Sequence, residues 1–156
     1  MRCAIAETRK NLARAGMEDI PLQRADAAKD DYPGYSHILA DVPCSGFGVI
    51  RKRPDLRWRR KEEDMPQLLA LQRDILDNIS KDVKPGGLLV YSTCTFDKEE
   101  NMGNIRRFLQ SHPSFRIRPA DPALFPRELI TPEGAVASYP HRHFCEGSFA
   151  IALQKH

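Results

Sequence analysis

Two cysteines of the sequence follow short apolar runs that have the character of buried strands. Cys44 comes three residues after the run 37–41, and Cys94 ends the run 88–94. A thiolate that attacks carbon 6 of a pyrimidine makes carbon 5 nucleophilic enough to accept a methyl group, and a second group must then act as a base. Because neighbouring parallel strands end at the same edge of a sheet, we expect the two thiols in one cleft, where they suit that pair of tasks.

The ionisation of Cys44 decides whether it is reactive, since the thiolate is the nucleophilic form of a cysteine. Arg51, Lys52 and Arg53 follow it closely in the chain and are expected to favour the thiolate. The alternative is that Cys44 is a small buried hydrophobic residue. The four cysteines of the sequence are too scattered for a disulfide framework, and no C-x-x-C pair is present to hold zinc. No metal site is therefore predicted.

Acidic residues also stand at predicted strand ends. Asp26 follows a predicted strand at 20–25, and Asp41 ends the run 37–41, two residues before Pro43. Ligands of open α/β sheets bind beyond the carboxyl ends of strands, and a carboxylate there can hydrogen-bond the ribose or an amino group of a nucleoside cofactor. The alternative is that these acids cap the next helix or solvate a loop. Asp26, Asp41 and Pro43 are therefore the candidate cofactor-binding residues.

One segment concentrates the positive charge of the chain. Residues 51–61 hold seven basic side chains and one Asp, a local charge of +6, whereas the whole chain carries +3, which leaves −3 for the remainder. A basic segment on a mildly acidic body predicts contact with nucleic acid, the alternative being a solvated run of charge. Trp58 inside it can stack on a base or anchor the loop. The candidate RNA-binding residues are Arg51, Lys52, Arg53, Arg57, Trp58, Arg59 and Arg60.

The patterning of the sequence predicts the elements that position these residues. Helices are predicted at 2–15, at 65–83, where apolar residues repeat every three or four positions, and after Asp97, which forms a capping box with Glu100. Strands are predicted at 20–25, 37–41, 88–94, 115–118 and 148–153. This alternation indicates one α/β domain with a mainly parallel sheet. No apolar run reaches the about 20 residues of a membrane span and no signal peptide is found, so a cytoplasmic protein is expected.

Taken together, the motifs resemble the Sun (Fmu/NSUN) family of RNA cytosine-5 methyltransferases. The resemblance covers nearly the whole chain and rests on residues 41–48 (DVPCSGFG), 53–55 (RPD), 84–87 (KPGG), 91–95 (YSTCT) and 99–101 (EEN), and on the helix that bears Gln72 and Arg73. It implies a Rossmann-like class I methyltransferase sheet that uses S-adenosylmethionine to methylate RNA, with ribosomal RNA as the expected substrate. It also implies that Cys94 is the covalent nucleophile, that Cys44 assists release of the product, and that Asp26 and Asp41 lie at the pocket for the cofactor and the target cytosine.

The sequence departs from the family pattern in two places. The glycine-rich loop that follows the first strand in the family is absent, so the resemblance implies that residues 1–156 are the C-terminal part of the catalytic domain. The sheet is then expected to lack its first two strands, which a preceding segment or a second polypeptide would supply. Near the other end, Ser148 stands where the family has an aromatic residue, in the sequence EGSF at 146–149.

Two other functions stay open at this point. A truncated fragment would keep the basic segment and bind RNA without binding the cofactor. A thiol redox or protein-interaction module would use Cys44 and Cys94 as a regulatory disulfide. Salt-dependent RNA binding without cofactor binding would favour the first function, and two thiols that stay free under mild oxidation would exclude the second.

Overall fold

The fold is given by a computed structural model, which describes residues 2–156 of the chain, with side chains from residue 5 onward. None of the helices among these residues combines the length and the apolar character needed to cross a bilayer. The helices are α1 (Arg2–Arg14), α2 (Leu56–Arg59), α3 (Met65–Ile79), α4 (Asn104–Ser111) and α5 (Pro140–His143). The strands are β1 (Tyr35–Asp41), β2 (Val83–Thr93), β3 (Phe115–Arg118), β4 (Val136–Ser138) and β5 (Ser148–Lys155).

The five strands form one sheet in the order β1-β2-β5-β3, with β4 paired to a different stretch of β5. β1 and β2 are parallel, and β5 is antiparallel to β2, β3 and β4. Four of the five strands therefore run in one direction, and β5 alone runs against them. The predicted α/β class is confirmed. β1–β2 is the one pair of adjacent parallel strands among the described residues, because β5 separates β2 from β3.

The core lies between the sheet and helices α3 and α4. The apolar stripe of α3 buries Leu76 and Ile79, and that of α4 buries Ile105 and Phe108. They pack with apolar side chains of the sheet, among which Leu89, Tyr91 and Leu153 are fully buried. Each such side chain contributes roughly 1.5–3 kcal/mol by leaving water, which fixes both helices on the sheet face.

The predicted helix at 65–83 is confirmed, but its end differs from the prediction. α3 stops at Ile79, a 3-10 turn covers Ser80–Asp82, and Val83 already begins β2. Val83 is buried in the core like the residues of the helix, so its apolar character fits either element. Hydrophobic periodicity therefore could not locate the change from helix to strand.

The N-terminal part of the chain contains one confirmed element and one wrong prediction. α1 forms as predicted, and Gly16 follows it with a φ of +67°, as a helix C-cap requires. Residues 20–25 do not form a strand. β propensity reflects packing on a neighbouring strand, and the described residues offer none to this segment. β1 likewise has a free edge in the described structure, where Leu39 is 69% exposed.

Candidate functional site

The pairing of β1 with β2 brings the two cysteines together. Asp41 lies opposite Ser92 in the parallel register, so the loop after β1 meets the end of β2. Cys44 Sγ lies 3.2 Å from Cys94 Sγ, and the Cys94 backbone N–H donates a hydrogen bond to Cys44 Sγ over 3.3 Å. The prediction that both thiols share one cleft at the carboxyl ends of neighbouring strands is confirmed.

A buried carboxylate holds the loop that carries Cys44. Glu100 is fully buried, and its Oε2 accepts hydrogen bonds from the Ser45 backbone N–H over 2.8 Å and from Gln72 Nε2 over 2.7 Å. Gln72 Nε2 also donates to the Pro43 carbonyl over 2.8 Å. The other oxygen, Glu100 Oε1, has no hydrogen-bond partner within the described part of the chain. Backbone groups on both sides of Cys44 are therefore tied to side chains from two other elements.

The predicted capping box is confirmed for Asp97 and wrong for Glu100. Asp97 Oδ1 accepts the backbone N–H groups of Glu99 and Glu100 over 2.9 and 3.0 Å, so Asp97 is a cap as predicted. The Glu100 side chain, however, turns into the core instead of returning to the Asp97 backbone, because it meets the donors of Ser45 and Gln72 there. Glu100 therefore supports the Cys44 loop and does not complete the capping box that the sequence predicts.

Two glycines join three segments at the edge of the site. Gly48 N–H donates to the Cys94 carbonyl over 3.0 Å, and the Gly48 carbonyl accepts the Gly147 N–H over 2.9 Å. A Cβ at Gly48 would lie 2.0 Å from the Gly147 carbonyl oxygen and 2.7 Å from the Cys94 carbonyl oxygen. Only glycine fits so close an approach of three backbones. The position of Cys94 relative to the Cys44 loop depends on this contact.

The two thiols differ in exposure, and burial changes the acidity of Cys44. Cys44 is buried, whereas Cys94 is partly exposed. Burial raises the pKa of the Cys44 thiol to about 12, and its hydrogen bond with the Cys94 side chain acts in the same direction. The prediction that Arg51, Lys52 and Arg53 favour the Cys44 thiolate is therefore wrong, because the loss of solvation outweighs any effect of these exposed cations. Cys44 is a neutral thiol at neutral pH, next to a thiol that solvent can reach.

The basic side chains of residues 51–61 have different surroundings. Arg60 donates to the carbonyls of Ser45 and Cys44 over 3.1 and 3.0 Å, so its guanidinium supports the Cys44 loop. Lys52 pairs with the half-buried Glu146 over 2.6 Å, and Arg59 pairs with the exposed Asp55 over 3.3 Å. Arg51, Arg53 and Arg57 form no ion pair within the range that the structure describes. Trp58 is 76% exposed and does not anchor the loop.

An apolar groove of about 460 Å³ runs beside β1 and ends at the candidate cofactor residues. Asp41 and Pro43 line it together with apolar side chains that include Ile75 and Ile79. The Asp41 carboxylate is exposed and accepts one hydrogen bond, from the Ser92 hydroxyl over 3.2 Å, which leaves capacity for a ligand. Asp26 does not line the groove. Its carboxylate accepts the Ala28 N–H and lies 3.6 Å from Lys29, so it stabilises the turn at the rim.

The sequence reasoning missed Glu100 and Gln72 as parts of the site, and it assigned Arg60 to RNA binding instead of to support of the Cys44 loop. Their partners lie 15 to 55 residues away in the chain, so no local pattern marks the contacts. The EEN segment at 99–101 is among the shared motifs, but the sequence alone indicates only a capping role for Glu100 and no role in the site. Within the described residues, no group of three or more His, Cys, Asp and Glu side chains is arranged to hold a metal ion.

Comparison with known proteins gives consistent results. The family model described as 16S rRNA methyltransferase RsmB/F matches residues 4–154. The chain is 38% identical over 151 residues to the probable ribosomal RNA small subunit methyltransferase B of Bacillus subtilis, and 42% identical over 154 residues to the like-named protein of Synechocystis. In each case the match covers 91% of this chain and 33% of the relative. The chain thus spans about a third of the length of these curated relatives.

Among solved structures, NSun6 from Pyrococcus horikoshii, determined with SFG, superposes with a TM-score of 0.80 at 29% identity. The superposition covers 97% of this chain and 38% of that one. A methyltransferase homologue from the same organism superposes with a TM-score of 0.77 at 28% identity, over 100% of this chain and 51% of the other. The fold of this chain therefore matches part of two larger solved structures.

Proposed function

Because the chain belongs to the 16S rRNA methyltransferase RsmB/F family, we propose that it carries the cysteine site of an RNA cytosine-5 methyltransferase that uses S-adenosylmethionine. Membership confirms the resemblance to the Sun (Fmu/NSUN) family and the Rossmann-like class I methyltransferase fold. On this proposal residues 1–156 are a C-terminal portion of the catalytic domain, and ribosomal RNA of the small subunit is the substrate. The observation that carries the proposal is the 3.2 Å contact between the two thiols at adjacent strand ends.

Cys94 is the proposed nucleophile because it is the more exposed of the two thiols. Its sulfur attacks carbon 6 of the cytosine and forms an S–C6 bond, and the electrons of the C5–C6 double bond make carbon 5 nucleophilic. S-adenosylmethionine supplies an electrophilic methyl group when it is bound. A water molecule takes the proton from carbon 5, because the neutral Cys44 thiol is not a base. The electron pair of the broken C–H bond restores the C5–C6 double bond, and the Cys94 sulfur leaves as a thiolate.

Cys44 assists this release through its neutral thiol. The raised pKa keeps the proton on Cys44 at neutral pH, so Cys44 can donate an S–H hydrogen bond to a Cys94 thiolate 3.2 Å away. Such a donor lowers the free energy of the thiolate both before attack and at expulsion. The hydrogen bonds from Arg60 and Gln72 to the Cys44 loop keep this donor in place.

The groove beside β1 fits one side of the cofactor. Its apolar walls suit the adenosine portion, and the exposed Asp41 carboxylate suits an amino or hydroxyl group of the ligand. We assign Asp41 and Pro43 to direct contact and Asp26 to the rim, next to Ala27, which lines the groove. NSun6, which was solved with SFG, an analogue of S-adenosylmethionine, supports this choice of cofactor.

The basic segment is the proposed contact with the RNA backbone. Arg51, Arg53 and Arg57 are free of ion pairs in the described structure, so they can neutralise phosphates without losing a partner. Lys52 and Arg59 are themselves exposed and each has a single carboxylate partner, which they can exchange for a phosphate. Trp58 is exposed enough to stack on a base. Because the proposed substrate is ribosomal RNA, the cytoplasm is the proposed location.

Cysteine variants test the division of labour between the two thiols. We expect Cys94→Ser to abolish methyl transfer from labelled S-adenosylmethionine to unmethylated small-subunit rRNA. Cys44→Ser should accumulate a covalent protein–RNA adduct that survives denaturing electrophoresis. Cys3→Ser is the matched control, because Cys3 belongs to α1, outside the cysteine site. Equal loss of activity in both site variants, with no adduct in either, would contradict the assignment.

Isothermal titration separates this function from its rivals. A chain that binds RNA with a steep salt dependence but shows no heat with S-adenosylmethionine would be an RNA-binding fragment. Loss of two thiols together with a mass decrease under mild oxidation, and no RNA binding, would favour the redox module. We expect heat from both ligands when the chain is joined to the region that its relatives have in addition.

A further inference from the structure

Phe144 combines an exposed aromatic ring with an unusual backbone. Its side chain is 90% exposed, the highest value among the exposed large hydrophobic residues of the described structure. Its φ of +53° lies in the left-handed region, and it is the one non-glycine residue with positive φ within the described range. Neither property stabilises the free protein, because an aromatic ring in water gains nothing from burial and a left-handed backbone disfavours a bulky residue. We propose that Phe144 stacks on an RNA base and that residues 139–147 form a second RNA-contact surface, an inference that rests on the proposed function.

The segment that carries Phe144 is fastened to the cysteine site. Gly147, three residues on, donates its N–H to the Gly48 carbonyl over 2.9 Å, and Gly48 donates to the Cys94 carbonyl. Glu146 pairs with Lys52 over 2.6 Å, which ties the same segment to the basic segment. A base stacked on Phe144 would therefore belong to an RNA strand that also reaches residues 51–61 and the two thiols.

The charge around Phe144 favours a polyanionic partner. The preceding helix α5 contains His141, Arg142 and His143, and residues 139–145 include no acidic side chain. The Arg142 guanidinium lies 5.6 Å from the centre of the Tyr139 ring, where it is held near the segment yet forms no ion pair in the described structure. His143 Nδ1 accepts the Tyr139 N–H over 2.9 Å, which fixes the short helix beneath Phe144.

Single-stranded RNA is recognised by this combination of features. Proteins stack unpaired bases on exposed aromatic rings and place cationic side chains near the phosphates between them. A protein partner would instead favour a continuous apolar patch, whereas Phe144 is flanked by Arg142 and His143 on one side and by Cys145 and Glu146 on the other. The observations therefore favour RNA over a protein as the ligand of this ring.

The test compares RNA affinity between matched variants of the chain. Fluorescence anisotropy with a labelled, unstructured cytidine-containing 12-mer RNA gives Kd for the wild type, Phe144→Asn and Leu124→Asn. Asn tolerates the left-handed backbone, so Phe144→Asn removes the ring without adding strain. Leu124 is the control because it is 75% exposed in the loop between β3 and β4, away from the cysteines. We expect Kd to rise about 10-fold for Phe144→Asn and to stay unchanged for Leu124→Asn.

Two further measurements make the result specific. Phe144→Trp should retain the wild-type Kd, since a larger ring still stacks. In Phe144→Asn the slope of log Kd against the logarithm of the salt concentration should not change, since no charge is lost. An unchanged Kd for Phe144→Asn in a wild type that binds RNA would overturn the inference and leave the proposed function standing. Equal weakening by Leu124→Asn would overturn it too. If the wild type itself bound no RNA, the RNA contact in the proposed function would fail first.

Discussion

The carboxylate of Glu100 allows a quantitative test of how the Cys44 loop is held. Glu100→Ala removes the acceptor of two buried donors, the Ser45 N–H and the Gln72 amide. Each unsatisfied donor costs about 1–3 kcal/mol, and the loss of the unpartnered Oε1 returns a similar amount once, so we expect a net destabilisation of about 1–3 kcal/mol. This is less than the about 5–15 kcal/mol that holds a typical domain folded. The variant should fold with a loosened loop.

Glu100→Gln is the matched control for this experiment. The amide keeps one carbonyl oxygen where Oε2 accepts both donors, and its NH₂ group takes the place of the unpartnered Oε1. We expect it to lose less than about 1 kcal/mol, because both hydrogen bonds at the Oε2 position remain and one unpartnered buried polar group replaces another. Urea unfolding followed by circular dichroism gives the two free energies. Iodoacetamide should alkylate Cys44 faster, relative to the exposed Cys145, in both variants. The increase should be larger in Glu100→Ala than in Glu100→Gln. Equal unfolding free energies and unchanged Cys44 reactivity in both variants would refute the claim that Oε2 holds the loop.

Three further predictions concern backbone approach, ionisation and the core. Gly48→Ala should lower the free energy of unfolding by about 3 kcal/mol or more and raise the rate of Cys44 alkylation, because the new Cβ meets two carbonyl oxygens. Gly34→Ala is the control and should behave like the wild type, because its Cβ would have no contact under 3.5 Å. A Gly48→Ala variant as stable as the wild type would disprove the close approach. The fold raises the pKa of the Cys44 thiol from 9.0 to about 12, so the neutral thiol contributes fully to stability below pH 9 and this contribution is lost as the pH rises towards 12. Between pH 9 and 12 the urea midpoint of unfolding should therefore fall less in Cys44→Ala than in the wild type. An equal fall in both proteins would contradict the claim that burial raises this pKa. Phe108→Ala should lower the free energy of unfolding by about 3–5 kcal/mol, and a loss below 1 would show that its site collapses.

The meeting of the two thiols could be predicted because it follows from topology alone. Two apolar runs separated by an amphipathic helix predict adjacent parallel strands, and their carboxyl ends then lie at one edge. The capping role of Asp97 could be predicted for the opposite reason, since the backbone N–H groups that donate to its carboxylate lie two and three residues away in the chain. Both inferences use information that a single sequence contains.

The remaining features depend on contacts that a single sequence does not display. Glu100 was assigned to the helix start because its real partners are 28 and 55 residues away. The acidity of Cys44 was misjudged because charge is visible in a sequence and burial is not. The strand expected at 20–25 failed because a strand is defined by its neighbour. β4 was missed because three residues on a sheet edge give no periodic signal.

The place of β5 in the sheet has a consequence for how the protein is made. β5 is the last strand in the chain, yet it lies between β2 and β3 and is the partner of β4 as well. During synthesis, β1, α3 and β2 can associate early, whereas β3 and β4 have no strand to pair with until residues 148–155 have left the ribosome. The Gly48–Gly147 contact must form equally late. The cysteine site is therefore completed only after residues 148–155 have left the ribosome. A ribosome that stalls before residue 148 leaves a polypeptide that has both cysteines but lacks the strand and the glycine contact that position them.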